Sequence, residues 1–275
     1  MKYCTGLILV MLLFSACSTR RITKMKDQVY DQENSLKLDV FSPRNDKGPK
    51  KILVFVHGGS WVNGKKSLYP FFGKGLARRG IVGVIISYRL SPRTDIAGMA
   101  GDVAKSIKWV KDNAKMFNGD TLNIFVSGHS AGGHLAAMVA TDDTYFKNLK
   151  MKNPVKGTIL IDAYGLNVYK FLKASNNPAD SKYYPIFSSE EANWKKYSPI
   201  NHLDKSSPPF IQFVGGKTNQ IIKDMNADFY EGIKNYQPNA EFIVVKRKRH
   251  VPMMFQFYNP FNRTYNKVEE FISTN

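Results

Sequence analysis

The chain has 275 residues, of which 43% are hydrophobic and 23% charged, enough apolar content for one large core and too much for a fibre or a disordered chain. Lys and Arg number 40 against 22 Asp and Glu, a formal charge of +18 at pH 7, which favours anionic partners such as acidic polysaccharide, lipopolysaccharide or nucleic acid. Its 2 cysteines are too few for a disulfide-built fold.

The first feature along the chain is an address. Residues 7–14 are the only long apolar run, far short of the roughly 20 residues of a membrane-spanning helix. Lys2 supplies a positive start, residues 6–14 an apolar stretch, and Ser15-Ala16 place small side chains before Cys17, the pattern of a bacterial lipoprotein signal. Phe14 is bulkier than the leucine usual at its place. The reading is a signal peptide over 1–16, lipidation of Cys17, a polar basic tether over 17–28, and a single folded domain over 29–275. That reading places the protein in a bacterial cell envelope, lipid-anchored, with a periplasm-facing leaflet preferred although the sequence does not name the leaflet. An ordinary signal peptide or a buried first helix would give the same run. Cys4 leaves with the signal and Cys17 carries lipid, so no thiol remains for a disulfide, a metal site or a nucleophile.

Lys2 is the only charged side chain in residues 1–16, so the mature chain keeps 39 Lys and Arg against 22 Asp and Glu. These cations are scattered except at Lys246-Arg247-Lys248-Arg249. None of this resembles a recognition helix or an RNA-binding sheet, and no nucleic-acid partner is expected.

From about residue 36 short β-branched runs alternate with helical periods. Strands are expected at 36–41, 52–56, 81–87, 122–127, 155–161, 210–214 and 241–246, and helices at 68–79, 98–117, 131–140, 221–236 and 265–272. Alternation of this kind implies an α/β fold, a mostly parallel twisted sheet with helices on both faces, whose working residues sit beyond the carboxyl ends of the strands. Residues 164–209 break the rhythm. They are rich in Tyr, Phe, Ser, Asn and Pro and hold Trp194, and so long an insertion reads as a small cap over the site.

The strongest chemical signal is Gly128-His129-Ser130-Ala131-Gly132. It follows a strand and opens a helix, as a G-x-S-x-G nucleophile elbow must. The turn strains the serine backbone, the flanking glycines let strand and helix nearly touch, and the helix amino terminus favours developing negative charge. Ser130 is therefore the candidate nucleophile. Upstream, the strand at 52–56 runs into His57-Gly58-Gly59-Ser60-Trp61. The backbone N–H groups of Gly59 and Ser60, with that of Ala131, form the candidate oxyanion hole.

With Ser87-Tyr88-Arg89-Leu90-Ser91-Pro92, Asp102, Trp109, Tyr197-Ser198-Pro199-Ile200 and Pro208-Pro209-Phe210 added, nearly all of residues 30–275 resembles the α/β-hydrolase fold. Within it the chain resembles esterases and lipases close to bacterial feruloyl or acetyl-xylan esterases and kynurenine formamidase. The resemblance implies a histidine after the last strand, and His250 is the only histidine that far along. It also implies an acid in a Gly-x-x-Asp arrangement after the strand at 210–214, where this chain has Gly216-Lys217-Thr218-Asn219. Asp224 and Asp228 fall on the next helix. Asp162, at the end of the strand at 155–161, is the preferred acid, as in lipases of this fold whose acid follows that earlier strand; a plain turn-forming role is the alternative.

What the resemblance implies is a serine esterase working through an acyl-enzyme, with no cofactor and no metal, on acetyl or feruloyl esters of a small molecule or polysaccharide. Trp61, His129 and Trp194 are expected to line the substrate site, with Tyr164, Tyr183, Tyr184 and Phe187 of the cap. A serine amidase, formamidase or peptidase would use the same residues. Asn219 also leaves open a binding protein with weak catalysis. Nothing in the sequence specifies the oligomeric state.

Overall fold

The computed structural model describes residues 22–44, 47–174 and 182–275. The signal peptide, Cys17 and the start of the tether lie outside the described residues.

Eight strands make one sheet among the described residues: β1 (Ile22–Asp31), β2 (Leu36–Pro43), β3 (Lys50–Val56), β4 (Val82–Ile86), β5 (Gly119–His129), β6 (Val155–Ile161), β7 (Phe210–Gly215) and β8 (Glu241–Val245). Their order is β1-β2-β4-β3-β5-β6-β7-β8. From β4 through to β8 the pairings are parallel, while β2 lies antiparallel to β4 and β1 antiparallel to β2.

The chain leaves β3 for β4 on one side and returns to β5 on the other. The loops beyond β3 and β5 therefore diverge and open a crevice at the carboxyl ends of adjacent strands.

Helices cover both faces. One layer holds α1 (Pro70–Arg78). The opposite layer holds α2 (Ile96–Asn113) and α3 (Ala131–Thr141), followed by the single turn α4 (Thr144–Lys147). The insertion folds as α5 (Val168–Ala174), α6 (Tyr184–Phe187) and α7 (Glu191–Lys196). Then come α8 (Gln220–Lys234), the short α9 (Pro252–Phe255) and α10 (Arg263–Thr274). Successive β3 residues divide between two cores because side chains alternate across a strand. Ile52, Val54 and Val56 pack with α2, α3, α8 and the insertion, and Leu53 and Phe55 with α1 and α10.

Side-chain caps fix where several helices begin. Asp95 accepts from the Gly98 N–H before α2, Asn219 from Ile221 before α8 and Asn262 from Thr264 before α10.

Two expectations change. The tether does not extend to residue 28, because β1 begins at Ile22 and is bonded along β2. Register shifts after Met25 and Val29, with Asp27 at φ 53°, break the two-residue alternation. That is why this polar edge strand does not read as a strand. The insertion expected as a small cap over the site is instead packed down against the core. Leu166, Val168, Ile186, Phe187 and Trp194 are buried and continuous with the core over α3.

Candidate active site

Ser130 stands between β5 and α3 with φ 55° and ψ −125°, a backbone conformation costly for any side-chain-bearing residue. The two motif glycines make that turn possible. A Cβ on Gly128 would lie 2.1 Å from the Gly132 carbonyl oxygen, and one on Gly132 would lie 2.1 Å from that of Val56. The Ser130 N–H bonds to the Ile161 carbonyl, and its own carbonyl accepts from Gly133, His134 and Tyr164. The elbow is thus braced against β6.

Three residues from three strand ends meet in line. Ser130 Oγ is 2.9 Å from His250 Nε2, and His250 Nδ1 is 2.9 Å from Asp162 Oδ2. Asp162 is fully buried. Its Oδ1 accepts from the Gly215 N–H at 2.7 Å, and its Oδ2 also accepts from Thr218 Oγ1 at 2.6 Å. With both oxygens taking N–H and O–H donors, Nδ1 of His250 donates and Nε2 is left to accept the serine proton.

Asn219 has another task. It is exposed and caps α8. The loop after β7 therefore reaches the acid through Thr218, a hydroxyl that sequence reasoning did not single out although it directly precedes the expected acid position. Asp228 pairs with Lys170, and Asp224 accepts from Gln220.

His129 is packed against the base, its ring 4.6 Å from that of His250, and its Nε2–H donates to the His250 carbonyl at 3.1 Å. Burial, helped by the nearby His250 charge, pulls its pKa down to about 3. It stays neutral, pinning the loop that carries the base. Burial likewise lowers His57 and His134 to about 4, while His202 donates to the Lys196 carbonyl away from the serine.

On the other side of the crevice the chain after β3 turns through three left-handed residues, Gly59, Ser60 and Trp61. Gly58, Gly59 and Ser60 line the same cleft as Ser130. Among the described residues, the backbone bonds of the turns use no N–H from Gly59, Ser60 or Ala131. These donors are available to an oxyanion.

The cleft has a volume of about 590 Å³ and is walled by Leu68, Tyr69, Val251, Met254, Phe255 and Tyr258. That corrects the expected lining. Of the three proposed substrate contacts only His129 borders it. Trp61 is fully buried against His134, Tyr164, Tyr183 and Phe187. Trp194 is 7% exposed and donates to the Ser188 carbonyl. Both serve the junction between the insertion and the sheet, because a large ring at the foot of a cap gains more by full burial than by facing solvent. The apolar run at 251–258, next to the base, was the available signal for the true wall.

The sequence profile of the BD-FAE family matches residues 38–232. An isoprenylcysteine alpha-carbonyl methylesterase of Arabidopsis thaliana is 30% identical over 243 residues, 83% of this chain and 56% of that protein. "Esterase LipC" of Mycobacterium tuberculosis is 26% identical over 230 residues, 78% of this chain and 56% of its own. The chain spans about half the length of the curated relatives it matches. Among solved structures, a truncated carbohydrate esterase from gut microbiota superposes with TM-score 0.79 at 22% identity, covering 94% of this chain and 99% of that one.

Proposed function

Since the chain belongs to the BD-FAE family and has the α/β-hydrolase fold, we propose that it is a serine esterase that cleaves carboxylic esters through an acyl-enzyme. The observation that carries the reading is the line of hydrogen bonds from Asp162 through His250 to Ser130, opening into a cleft with unused N–H donors.

In this mechanism Ser130 Oγ attacks the ester carbonyl while its proton passes to His250 Nε2. Negative charge on the carbonyl oxygen is met by the N–H groups of Gly59, Ser60 and Ala131. Collapse expels the alcohol, which takes the proton back from His250 and leaves the acyl group on Ser130. Water, activated by the same imidazole, then releases the acid and restores the serine. Asp162 keeps the ring in its tautomer and stabilises the imidazolium at each step.

The apolar, partly aromatic wall suits short acyl groups such as acetyl or an aryl acyl such as feruloyl. A polysaccharide ester fits a chain held in the cell envelope by a lipid on Cys17, which remains the reading of the amino terminus. The methyl ester named for the plant relative is a third chemistry the same cleft would test.

The deciding experiment is turnover of acetyl, butyryl and feruloyl esters beside a matched anilide, with fluorophosphonate labelling. Covalent labelling at Ser130, ester turnover well above anilide turnover, and loss of at least about a hundredfold in Ser130→Ala support the reading. Labelling at another residue refutes it.

A further inference from the structure

The turn that delivers His250 carries the densest charge in the chain. Lys246, Arg247 and Arg249 are exposed, Lys248 is half-buried, and Lys217 projects beside them from the loop after β7. Backbone bonds zip the two loops together, Gly216 N–H to the Val245 carbonyl and Lys217 N–H to the Lys248 carbonyl. No carboxylate among the described residues pairs with any of these five side chains. The acids on α8 are engaged, Asp228 with Lys170, Glu231 with Lys234 and Asp224 with Gln220. Arg247 also sits at φ 62°, a backbone conformation where glycine would cost less.

Directly after the base the chain exposes Phe255, Tyr258 and Phe261 at 57%, 62% and 84%. Phe255 and Tyr258 form part of the cleft wall, Tyr258 with one face stacked on Phe71, and the cationic turn leads directly into His250 and Val251, which line the same cleft. We propose that the mouth of this cleft binds an acidic polysaccharide, its uronate carboxylates held by Lys217 and the 246–249 turn and its sugar rings resting on the aromatic faces, while a pendant ester reaches Ser130. This rests on the esterase reading for its chemistry and narrows that reading to polyanionic glycan esters.

An anionic bilayer would also attract cations beside exposed rings, but strand direction opposes it. β1 runs parallel to β4, so Ile22 starts at the sheet edge opposite the cleft. Gln28 pairs with Leu38 and Leu38 with Ile86, the last residue of β4, so Ile22 lies about 20 Å below the carboxyl ends of the strands. Residues 18–21 can span at most about 15 Å. A lipid on Cys17 therefore could not let the mouth lie flat on the membrane that holds it, and the cations would face outward toward a soluble polymer.

The test is binding of the full chain in detergent to polygalacturonate, to neutral xylan and to phosphatidylglycerol vesicles. Expected is salt-sensitive binding to polygalacturonate stronger than to xylan. The variant Lys246→Glu/Arg247→Glu/Arg249→Glu should weaken polygalacturonate binding by about tenfold or more. Arg247→Gly removes one cation and suits the left-handed backbone, and it should weaken binding in the same direction. Ser130→Ala should bind polygalacturonate as the unaltered chain does, so failure of the esterase reading is scored apart from failure of this one. Equal binding to polygalacturonate and xylan, equal binding by both charge variants and the unaltered chain, or vesicle binding stronger than polymer binding would each overturn the proposal.

Discussion

Replacing Asp162 with Asn changes one atom and should nearly abolish turnover, for a reason the surrounding donors dictate. Oδ1 accepts the Gly215 N–H at 2.7 Å, so an amide must keep its carbonyl oxygen there or set two donors against each other. Its NH2 is then forced toward Thr218 and His250. The Thr218 hydroxyl can rotate to accept, but His250 Nδ1 must also accept, which puts the ring proton on Nε2, facing Ser130. A protonated Nε2 cannot take the serine proton, and the same tautomer error in a serine protease costs about 10,000-fold. We expect Asp162→Asn to lower kcat by about that factor, with circular dichroism and thermal unfolding confirming an intact fold. The assay is steady-state hydrolysis of a chromogenic acetate ester at fixed pH. A variant within about tenfold of wild type would mean that His250 is oriented by something other than Asp162, and the reasoning would fail.

Asn219→Ala should leave turnover within about tenfold and instead cost about 1 kcal/mol of stability, read from denaturant midpoints, because the side chain caps α8. Acid should destabilise the fold through its buried imidazoles. His57, His129 and His134 fall from an ordinary 6.5 to about 4, 3 and 4, so below 6.5 the unfolded chain binds protons that the folded chain refuses. Stability is then fully present above 6.5 and is lost as pH falls toward about 4, and a denaturant midpoint unchanged between those values would contradict it. Cys17→Ser should move the protein from the membrane fraction to the soluble fraction or trap it as a precursor; an unmodified Cys17 in the mature chain, seen by mass spectrometry, would dispose of the anchor.

The positions of Ser130 and of the oxyanion turn could be read from the sequence because their constraint is local. Gly128 and Gly132 answer to contacts within a few residues or with the neighbouring strand, and leave a short pattern. His250 is harder. Only its place after the last strand and the lack of competing histidines single it out. Asp162 emerged from a gap, the amide at 219, and the structure gives that gap a use as a helix cap. What stayed hidden depends on long-range packing. β1 is obscured by its bulges, and Trp61 and Trp194 look like ligand-facing aromatics until the insertion is seen to fold down onto α3. Thr218 gains meaning only when β6 and β7 lie side by side, since its partner is 56 positions away in the chain.

The seat of the acid also bears on how sequences of this kind are sorted. A motif scan that demands aspartate three places after Gly216 would file this chain with degenerate hydrolases, although an acid already stands on the adjoining strand and is bridged to the old location by Thr218. On the proposed mechanism, catalogues of inactive relatives built on that single column would hold chains whose acid stands one strand earlier. They can be recovered by asking two questions together: whether an aspartate ends the strand before, and whether a hydroxyl residue occupies the loop where the acid was sought.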